Sequence, residues 1–263
     1  MTTAFAMSAN DANQRIADTF SKLVEEPTTT SLSRTVPEPI KKQIQTAKST
    51  GTQLHLKADT LELEGEIKMP YMIIVRGETA PEKGRPLFIS MHGGGQNPKA
   101  TGPHSWGMNT REFETQIKLA IQLYPEEGVY FIPRMADDRK GRWWHKHNLE
   151  AFNKVIDHAI MHWNVDPNRV YLMGVSEGGY GTDILAPYMA DRFAGANAMA
   201  AGVGLGNPPA NLRNLAFRTD VGEKDTMFDR RPMAQTYHKE LDRLQKDDPT
   251  AYKHSINVQA GRG

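Results

Sequence analysis

Ser176 stands in the segment GVSEG, residues 174–178, which has the pattern G-x-S-x-G. The segment closes an apolar run of the kind that forms a buried strand, and it opens a stretch of helical character. A serine on such a strand-to-helix turn projects its hydroxyl above the sheet edge, where it can attack a carbonyl carbon. Small residues are needed two positions before and after it because larger side chains would clash in the bend. We therefore predict that Ser176 is a nucleophile on a strained backbone turn.

A second glycine-rich segment, HGGG at residues 92–95, ends another apolar run upstream. Glycines let backbone N–H groups converge on one point, and the first N–H groups of a helix also attract negative charge. The sequence therefore predicts an oxyanion hole built from the N–H groups of Gly94 and Glu177. Each segment taken alone could be a structural glycine turn. Their occurrence in this order, each at the end of a predicted parallel strand, favours a serine-hydrolase site.

An acid and a histidine complete the chemistry that such a serine needs. Asp225 is the best candidate for the acid because it follows an apolar strand and a glycine turn, in the expected order after the serine. Asp220 and Asp229 are alternatives. The histidine is expected just after the last strand, but only His238 and His254 follow Asp225, and neither is at that place. We expect Asp225 to lie near the serine, bonded to water or backbone amides, with no histidine between them.

Three segments carry a resemblance to a known family: PLFISMHGGGQNP, RVYLMGVSEGGYGT and VGEKDTMF. They resemble the α/β-hydrolase superfamily, in particular its serine esterases of the polyhydroxybutyrate-depolymerase-like and feruloyl-esterase-like branch, with more distant kinship to prolyl-oligopeptidase-type hydrolases. The resemblance covers about residues 69–263. It implies an α/β fold with a mostly parallel central sheet, antiparallel N-terminal strands and helices on both faces.

The resemblance also implies roles for individual residues. Ser176 matches the nucleophile, the Gly94 region the oxyanion loop, and Asp225 the acid of a catalytic triad. Members of the family frequently continue G-x-G-H where this sequence ends, so the resemblance implies that the triad histidine follows Gly263 and that the chain as given lacks it. Family members commonly carry an apolar residue after the nucleophile. Glu177 departs from this pattern, which predicts an acid near the mouth of the pocket.

The hydrophobic pattern divides the chain into two parts. Residues 1–50 are polar and rich in Thr and Ser, with short amphipathic stretches, and predict a helical N-terminal extension. Residues 51–263 predict one domain, cut short at its C-terminus, in which short apolar runs alternate with helical segments and the sheet is covered on both faces. The predicted strands include 69–75, 86–91, 128–133, 169–174, 195–201, 215–221 and 255–260, and the predicted helices include 111–123, 148–163 and 233–245.

Two side-chain clusters outside these motifs could bind a ligand. Trp143 and Trp144 lie in the loop after a predicted strand, where ligand crevices of α/β sheets form, and predict a pocket for an aromatic acyl or sugar-ester group. The alternative is that one ring packs in the core and the other covers it. His158 and His162 are one helical turn apart, but the glutamate that follows the first histidine in zinc-protease helices is absent. We therefore predict a solvated helix flank there rather than a metal site, and no cofactor.

Composition argues against several other classes of function. The formal net charge of +1 offers no strong positive field for nucleic acid, and no apolar stretch approaches the roughly 18 residues that a membrane-spanning helix needs. The absence of cysteine excludes thiolate catalysis, zinc–thiolate sites and iron–sulfur clusters. No secretion signal is visible, which fits either a cytoplasmic protein or an already processed secreted one. The localisation and the oligomeric state stay open.

The sequence as a whole predicts a serine hydrolase that cleaves carboxylic esters through an acyl-enzyme, with a small-molecule or sugar/aryl ester as substrate. A prolyl-oligopeptidase-like peptidase is one alternative, although residues 1–50 cannot build the large gating domain that peptide cleavage would favour. A non-catalytic ligand-binding protein on a hydrolase scaffold would fit the missing histidine. A metallohydrolase built on the histidine cluster is the third alternative.

Overall fold

The computed structural model describes residues 54–63 and 67–263, so the predicted helical extension at residues 1–50 lies outside the described residues. The strands are β1 (Leu54–Glu62), β2 (Lys68–Arg76), β3 (Arg85–Met91), β4 (Gly128–Pro133), β5 (Val165–Val175), β6 (Gly195–Met199), β7 (Ala216–Gly222) and β8 (His254–Gln259). The α-helices are α1 (Gly107–Gln122), α2 (Lys146–His162), α3 (Glu177–Tyr188) and α4 (Arg230–Asp247). Within the described residues, no helix has the length and apolar character that crossing a membrane would need.

The strands form one sheet in the order β1-β2-β4-β3-β5-β6-β7-β8. β2 pairs antiparallel with both β1 and β4, whereas every pair from β4 through β8 is parallel. Parallel neighbours cannot be joined by a hairpin, and crossover connections that carry the helices join them here. The carboxyl ends of the parallel strands therefore meet along one edge, where ligand sites of such sheets form. The predicted fold class is confirmed.

The sheet separates two apolar cores, and the alternation of side chains along each strand decides which core a residue enters. On β2, Met72 and Ile74 enter the smaller core, which contains buried side chains of α1. Ile73 and Val75 enter the larger core, together with buried side chains of α2, α3 and α4. Helices therefore cover both faces of the sheet, as the sequence predicts.

The starts of α1 and β5 each lie four residues before the predicted ones. α1 begins at Gly107, one turn earlier than predicted, because the buried carboxylate of Asp138 accepts the N–H of the preceding residue at 2.8 Å. β5 begins at Val165, four residues before the predicted strand, and its Asp166 accepts the N–H of Asn168 at 2.9 Å, as an aspartate does in a turn. The early start of α1 depends on a contact distant in sequence, which periodicity does not reveal.

The packing of α2 gives a test of the larger core. Phe152 is fully buried there, whereas Met161 on the same helix is 53% exposed. We expect Phe152→Ala to lower the free energy of unfolding by about 3–5 kcal/mol, because it removes a buried ring and leaves a cavity. Met161→Ala, the matched control, should change it by less than about 0.5 kcal/mol. Urea denaturation measures both, and equal effects would contradict the assignment of this helix face to the core.

Candidate active site

Ser176 occupies the sharp turn between β5 and α3. Its φ and ψ are 54° and −114°, a positive-φ conformation that residues with a Cβ rarely adopt. Strain of this kind costs of order 1–3 kcal/mol and persists only where the surroundings fix it. Here the serine N–H donates to the carbonyl of Met199, and the serine carbonyl accepts the N–H of Tyr180, both at 2.9 Å. The prediction of a strained strand-to-helix turn is confirmed.

Two glycines after Ser176 let the neighbouring strands approach the turn. A Cβ on Gly178 would lie 2.3 Å from the carbonyl oxygen of Met91, at the end of β3. A Cβ on Gly179 would lie 2.4 Å from the carbonyl oxygen of Met199, at the end of β6. Both separations are far below a van der Waals contact, so the turn can form only with glycine at these positions.

The HGGG loop that follows β3 lies against the serine. A Cβ on Gly93 would be 3.5 Å from the Cβ of Ser176. Gly94 is exposed, and within the part of the chain that the structure describes we find no acceptor for its N–H. The first N–H groups of α3, beginning with that of Glu177, have no partner inside the helix. The loop and the helix thus offer backbone donors near the serine, an arrangement suited to an anion.

Asn109, on α1, holds this loop through two backbone hydrogen bonds. Its Oδ1 accepts the N–H of Gly95 and its Nδ2 donates to the carbonyl of Gly95, both at 2.9 Å. Nδ2 also donates to Asp138 at 2.7 Å, and the guanidinium of Arg134 binds both oxygens of that carboxylate at 2.8 and 2.9 Å. Burial alone would raise the pKa of Asp138, but hydrogen bonds from Arg134 and Asn109 hold it below its usual value.

His92 and Trp143 support the same loop from the core side. Nε2 of His92 accepts the N–H of Met135 at 2.9 Å, so the proton is on Nδ1, which donates to the carbonyl of Gly93. Burial lowers the pKa of His92 to about 3, and its ring is therefore neutral at physiological pH. The indole Nε1 of Trp143 donates to the carbonyl of His92 at 3.0 Å.

Glu177 follows the serine and turns its side chain into the protein. The residue is 5% exposed, and its Oε2 lies 2.6 Å from Nη1 of Arg142. Burial raises the pKa of Glu177, and the nearby guanidinium of Arg142 opposes part of this rise. The sequence correctly placed an acid next to the nucleophile, but the carboxylate is enclosed rather than at the mouth of a pocket.

Asp225 lies in the loop after β7 and is linked to the serine by Arg230. Nη1 of Arg230 is 3.3 Å from Oδ2 of Asp225, and Nη2 is 3.4 Å from Oγ of Ser176. Nε of the same guanidinium donates to the hydroxyl of Tyr180 at 3.0 Å. Asp225 also accepts the N–H of Met227 at 3.2 Å. The expected backbone amide is thus present, and no histidine of the described residues bonds to Asp225, but the ion pair with Arg230 was not predicted from the sequence.

Sequence reasoning missed Arg230 because its position depends on an unusual turn. Phe228 and Asp229, just before α4, have φ of 54° and 55° and start the helix beside the serine. Neither residue is a glycine, so the sequence carries no signal for this turn. Arg230 is 8% exposed, and its guanidinium lies 5.5 Å from the ring centroid of Tyr180 and 5.7 Å from that of Phe228.

Asp220 and Asp229, the alternative candidates for the acid, have different surroundings from Asp225. Asp220, on β7, is bound by both the guanidinium of Arg218 at 2.8 Å and the amide of Asn257 at 2.7 Å. Asp229 is exposed. Of the three candidates, Asp225 is the one that a hydrogen-bonded side chain links to the serine in the described residues.

The nine histidines all fall within the described residues, and none of them is hydrogen-bonded to the serine or to Asp225 there. His238 is buried and binds the hydroxyl of Thr219 at 2.9 Å. His254 binds Asp242 at 3.1 Å. Both side chains are therefore engaged elsewhere.

The histidine pair on α2 does not belong to any larger group of metal-ligating side chains among the residues that the structure describes. The ring centroids of His158 and His162 are 4.5 Å apart. Across residues 54–63 and 67–263, no group of three or more His, Cys, Asp or Glu side chains could hold a metal ion. Burial, followed by the neighbouring His162, lowers the pKa of His158, which favours its neutral form.

Two curated relatives match part of the chain, whereas no protein-family model matches it. NocK of Nocardia uniformis subsp. tsuyamanensis, named as an esterase, is 32% identical over 137 residues, which cover 52% of this chain and 38% of NocK. Poly(3-hydroxyalkanoate) depolymerase C of Paucimonas lemoignei is 27% identical over 128 residues, which cover 44% of this chain and 28% of the depolymerase. The matches thus span well under half the length of these relatives.

Solved structures share the whole architecture. A thermostable esterase superposes with a TM-score of 0.59 at 19% identity, over 78% of this chain and 54% of that one. A ferulic acid esterase superposes with a TM-score of 0.52 at 16% identity, over 80% and 91%. The described part of the chain therefore has the α/β-hydrolase fold. A prolyl endopeptidase also superposes, with a TM-score of 0.54 at 14% identity over 80% and 35%, so the fold alone does not separate esterases from peptidases.

The two tryptophans predicted to line a pocket have different positions in this fold. Trp143 is fully buried, and a Cβ on Gly181 of α3 would lie 2.6 Å from its Cβ. An enclosed ring cannot contact a substrate, so the prediction for Trp143 is wrong and the ring belongs to the core. Trp144 is half-buried with the guanidinium of Arg142 5.6 Å from its ring centroid, and it stays a candidate for a pocket wall.

The contacts of Asn109 give a test of how the HGGG loop is held. Asn109→Asp keeps the size of the side chain but replaces Nδ2, which donates to Gly95 and Asp138, by an oxygen. Two buried carboxyl groups would then face each other, and we expect the free energy of unfolding to fall by about 2–4 kcal/mol. The control Asn97→Asp keeps the oxygen that accepts the N–H of Lys99 and should change the free energy of unfolding little. Chemical denaturation measures the free energy of unfolding of both variants. An unchanged value for Asn109→Asp would contradict the role of Asn109 in holding the loop.

Proposed function

We propose that this chain is the catalytic domain of a serine carboxylesterase. The observation that carries the proposal is the strained turn at Ser176, with the oxyanion loop packed against the serine and Asp225 linked to it through one side chain. Backbone donors of Gly94 and Glu177 beside a partly exposed nucleophile suit acyl transfer. The curated relatives, one named as an esterase and one as a polyester depolymerase, support the same chemistry.

The proposed reaction has two steps. Oγ of Ser176 attacks the ester carbonyl carbon, the hydroxyl proton passes to a base, and the N–H groups of Gly94 and Glu177 hold the oxyanion. The intermediate collapses, the alcohol leaves with that proton, and the acyl group stays on Oγ. Water then attacks the acyl-enzyme, gives one proton to the base and releases the carboxylic acid, while the proton returns to Ser176.

We assign the base to a histidine that follows Gly263. β8 runs parallel beside β7 with the two strands paired to their ends, and the carbonyl of Arg262 accepts the N–H of Lys224 at 2.6 Å. This part of the chain therefore lies next to the loop of Asp225, the acid that would orient an imidazole. The contacts of Arg230 to the serine and the aspartate, at 3.4 and 3.3 Å, are long and can be exchanged for those of an imidazole.

Apolar surface around the serine favours small esters with an aryl or similar apolar group. Phe228 is 72% and Met227 56% exposed in the loop that contains Asp225, and Trp144 is half-buried in the loop that contacts Glu177 through Arg142. Aromatic rings at the rim of a cleft offer a large contact area to such a group. The proposed substrate class is therefore a small-molecule or sugar/aryl ester.

The triad assignment is tested on the full-length gene product with 4-nitrophenyl butyrate. We expect Ser176→Ala and Asp225→Asn each to lower kcat by about three or more orders of magnitude, because each removes a member of one catalytic unit. Asp229→Asn, four residues further in the same loop and exposed, is the control and should keep activity within about threefold of wild type. Retained turnover in Ser176→Ala, or loss of turnover with EDTA, would overturn the proposal in favour of a metallohydrolase. Faster cleavage of a matched 4-nitroanilide than of the ester would favour a peptidase.

The source of the base is tested by comparing two polypeptides. Residues 1–263 should bind the ester yet turn it over several orders of magnitude more slowly than the full-length product, because Ser176 then lacks its proton acceptor. Added imidazole should raise the rate of the shorter chain and leave that of its Ser176→Ala variant unchanged. Equal kcat for the two polypeptides would show that the base lies within residues 1–263.

A further inference from the structure

Glu177 poses an electrostatic problem that the proposed reaction does not explain. Its carboxylate is buried, Oε2 is bound by Arg142 at 2.6 Å, and Oε1 has no hydrogen-bond partner in the described residues. A buried carboxylate is stable only when it is paired or loses its charge. The charge state of Glu177 therefore depends on one guanidinium.

The same carboxylate borders the loop that we assign to the oxyanion hole. A Cβ on Gly95 would lie 3.3 Å from both Cδ and Oε2 of Glu177, so the side chain is in contact with that loop. The backbone N–H of Glu177 is itself one of the proposed oxyanion donors. An unpaired negative charge at this place would repel the negative charge that develops during ester cleavage.

Arg142 is held where it can neutralise this charge. Its carbonyl accepts Nδ2 of the buried Asn148 at 2.8 Å, and its guanidinium lies 5.6 Å from the ring centroid of Trp144. The Arg142 side chain is 41% exposed while that of Glu177 is 5% exposed, so water solvates the cation but not the anion. Removal of Arg142 leaves an unsolvated charge, whereas removal of Glu177 leaves a solvated one.

We propose that Arg142 is a positioning residue that keeps the oxyanion hole receptive to anions by neutralising Glu177. The inference deepens the proposed function, because the anion concerned is the oxyanion of the ester intermediate or the carboxylate of the acid product. Arg142 acts through Glu177 rather than on the substrate. The consequence is specific: loss of Arg142 is harmful only while Glu177 is present.

The experiment measures binding of butyrate and of its neutral isostere butyramide to residues 1–263 by NMR titration in mildly alkaline buffer, in which butyrate itself is ionised. Arg142→Gln should weaken butyrate binding about tenfold or more and leave butyramide binding within about twofold. Glu177→Gln should bind butyrate at least as well as wild type. The double variant Arg142→Gln/Glu177→Gln should regain wild-type affinity within about threefold, since no charge is left unpaired.

Arg139 provides the matched control, because it lies in the same loop and forms an ion pair whose side chains are exposed to a similar extent as those of Arg142 and Glu177. Nη2 of Arg139 lies 2.9 Å from Asp137, and the two side chains are 47% and 5% exposed. Arg139→Gln should leave butyrate binding within about twofold. The proposal is overturned if Arg142→Gln binds butyrate as tightly as wild type does, or if its affinity for butyramide falls as much as its affinity for butyrate. It is also overturned if the double variant binds butyrate as weakly as Arg142→Gln, or if wild type does not bind butyrate.

A kinetic measurement on the full-length product separates this proposal from the proposed function. Arg142→Gln should lower kcat for 4-nitrophenyl butyrate about tenfold with KM within about twofold, and the double variant should recover kcat. If wild type shows no Ser176-dependent hydrolysis, the esterase proposal fails while the butyrate titrations still decide the role of Arg142.

Discussion

The position of the candidate nucleophile depends on the positive φ of Ser176. That conformation is held by the hydrogen bond from the serine N–H to Met199 and by the approach of Gly178 to the carbonyl of Met91. Because these partners end β6 and β3, the turn exists only when both strands lie beside β5 in the observed sheet order. The strain at one residue is therefore supported by the whole parallel part of the sheet.

Paired charges define the electrostatics of the site. Arg142 binds Glu177 on the side of the oxyanion loop, and Arg230 binds Asp225 in the loop after β7. Breaking a buried pair is costly because the remaining charge has no solvent. The two pairs leave the surroundings of Ser176 without net charge from these four side chains, which is consistent with the neutral ester that we propose as substrate.

The fold could be predicted from the sequence to a large extent because strands and helices leave periodic patterns. The turn at Ser176 could also be predicted, because its glycines are required where neighbouring strands approach the backbone closely. Arg230 could not be predicted because the turn that positions it is made by residues other than glycine. Trp143 was predicted to contact substrate because the sequence of a loop does not show whether a tryptophan ring points into the core or out of it. Asn109 left no signal, because its partner Gly95 is distant along the chain and is contacted through backbone atoms.

The central claim is that Ser176 becomes covalently acylated, and mass spectrometry of the full-length product mixed with 4-nitrophenyl butyrate tests it most directly. Acid quenching at early times should reveal one butyryl group per polypeptide, and peptide mapping should place it on Ser176. The Ser176→Ala variant should carry no such group. A butyryl group on another residue, or release of 4-nitrophenol at the wild-type rate by Ser176→Ala, would contradict the account.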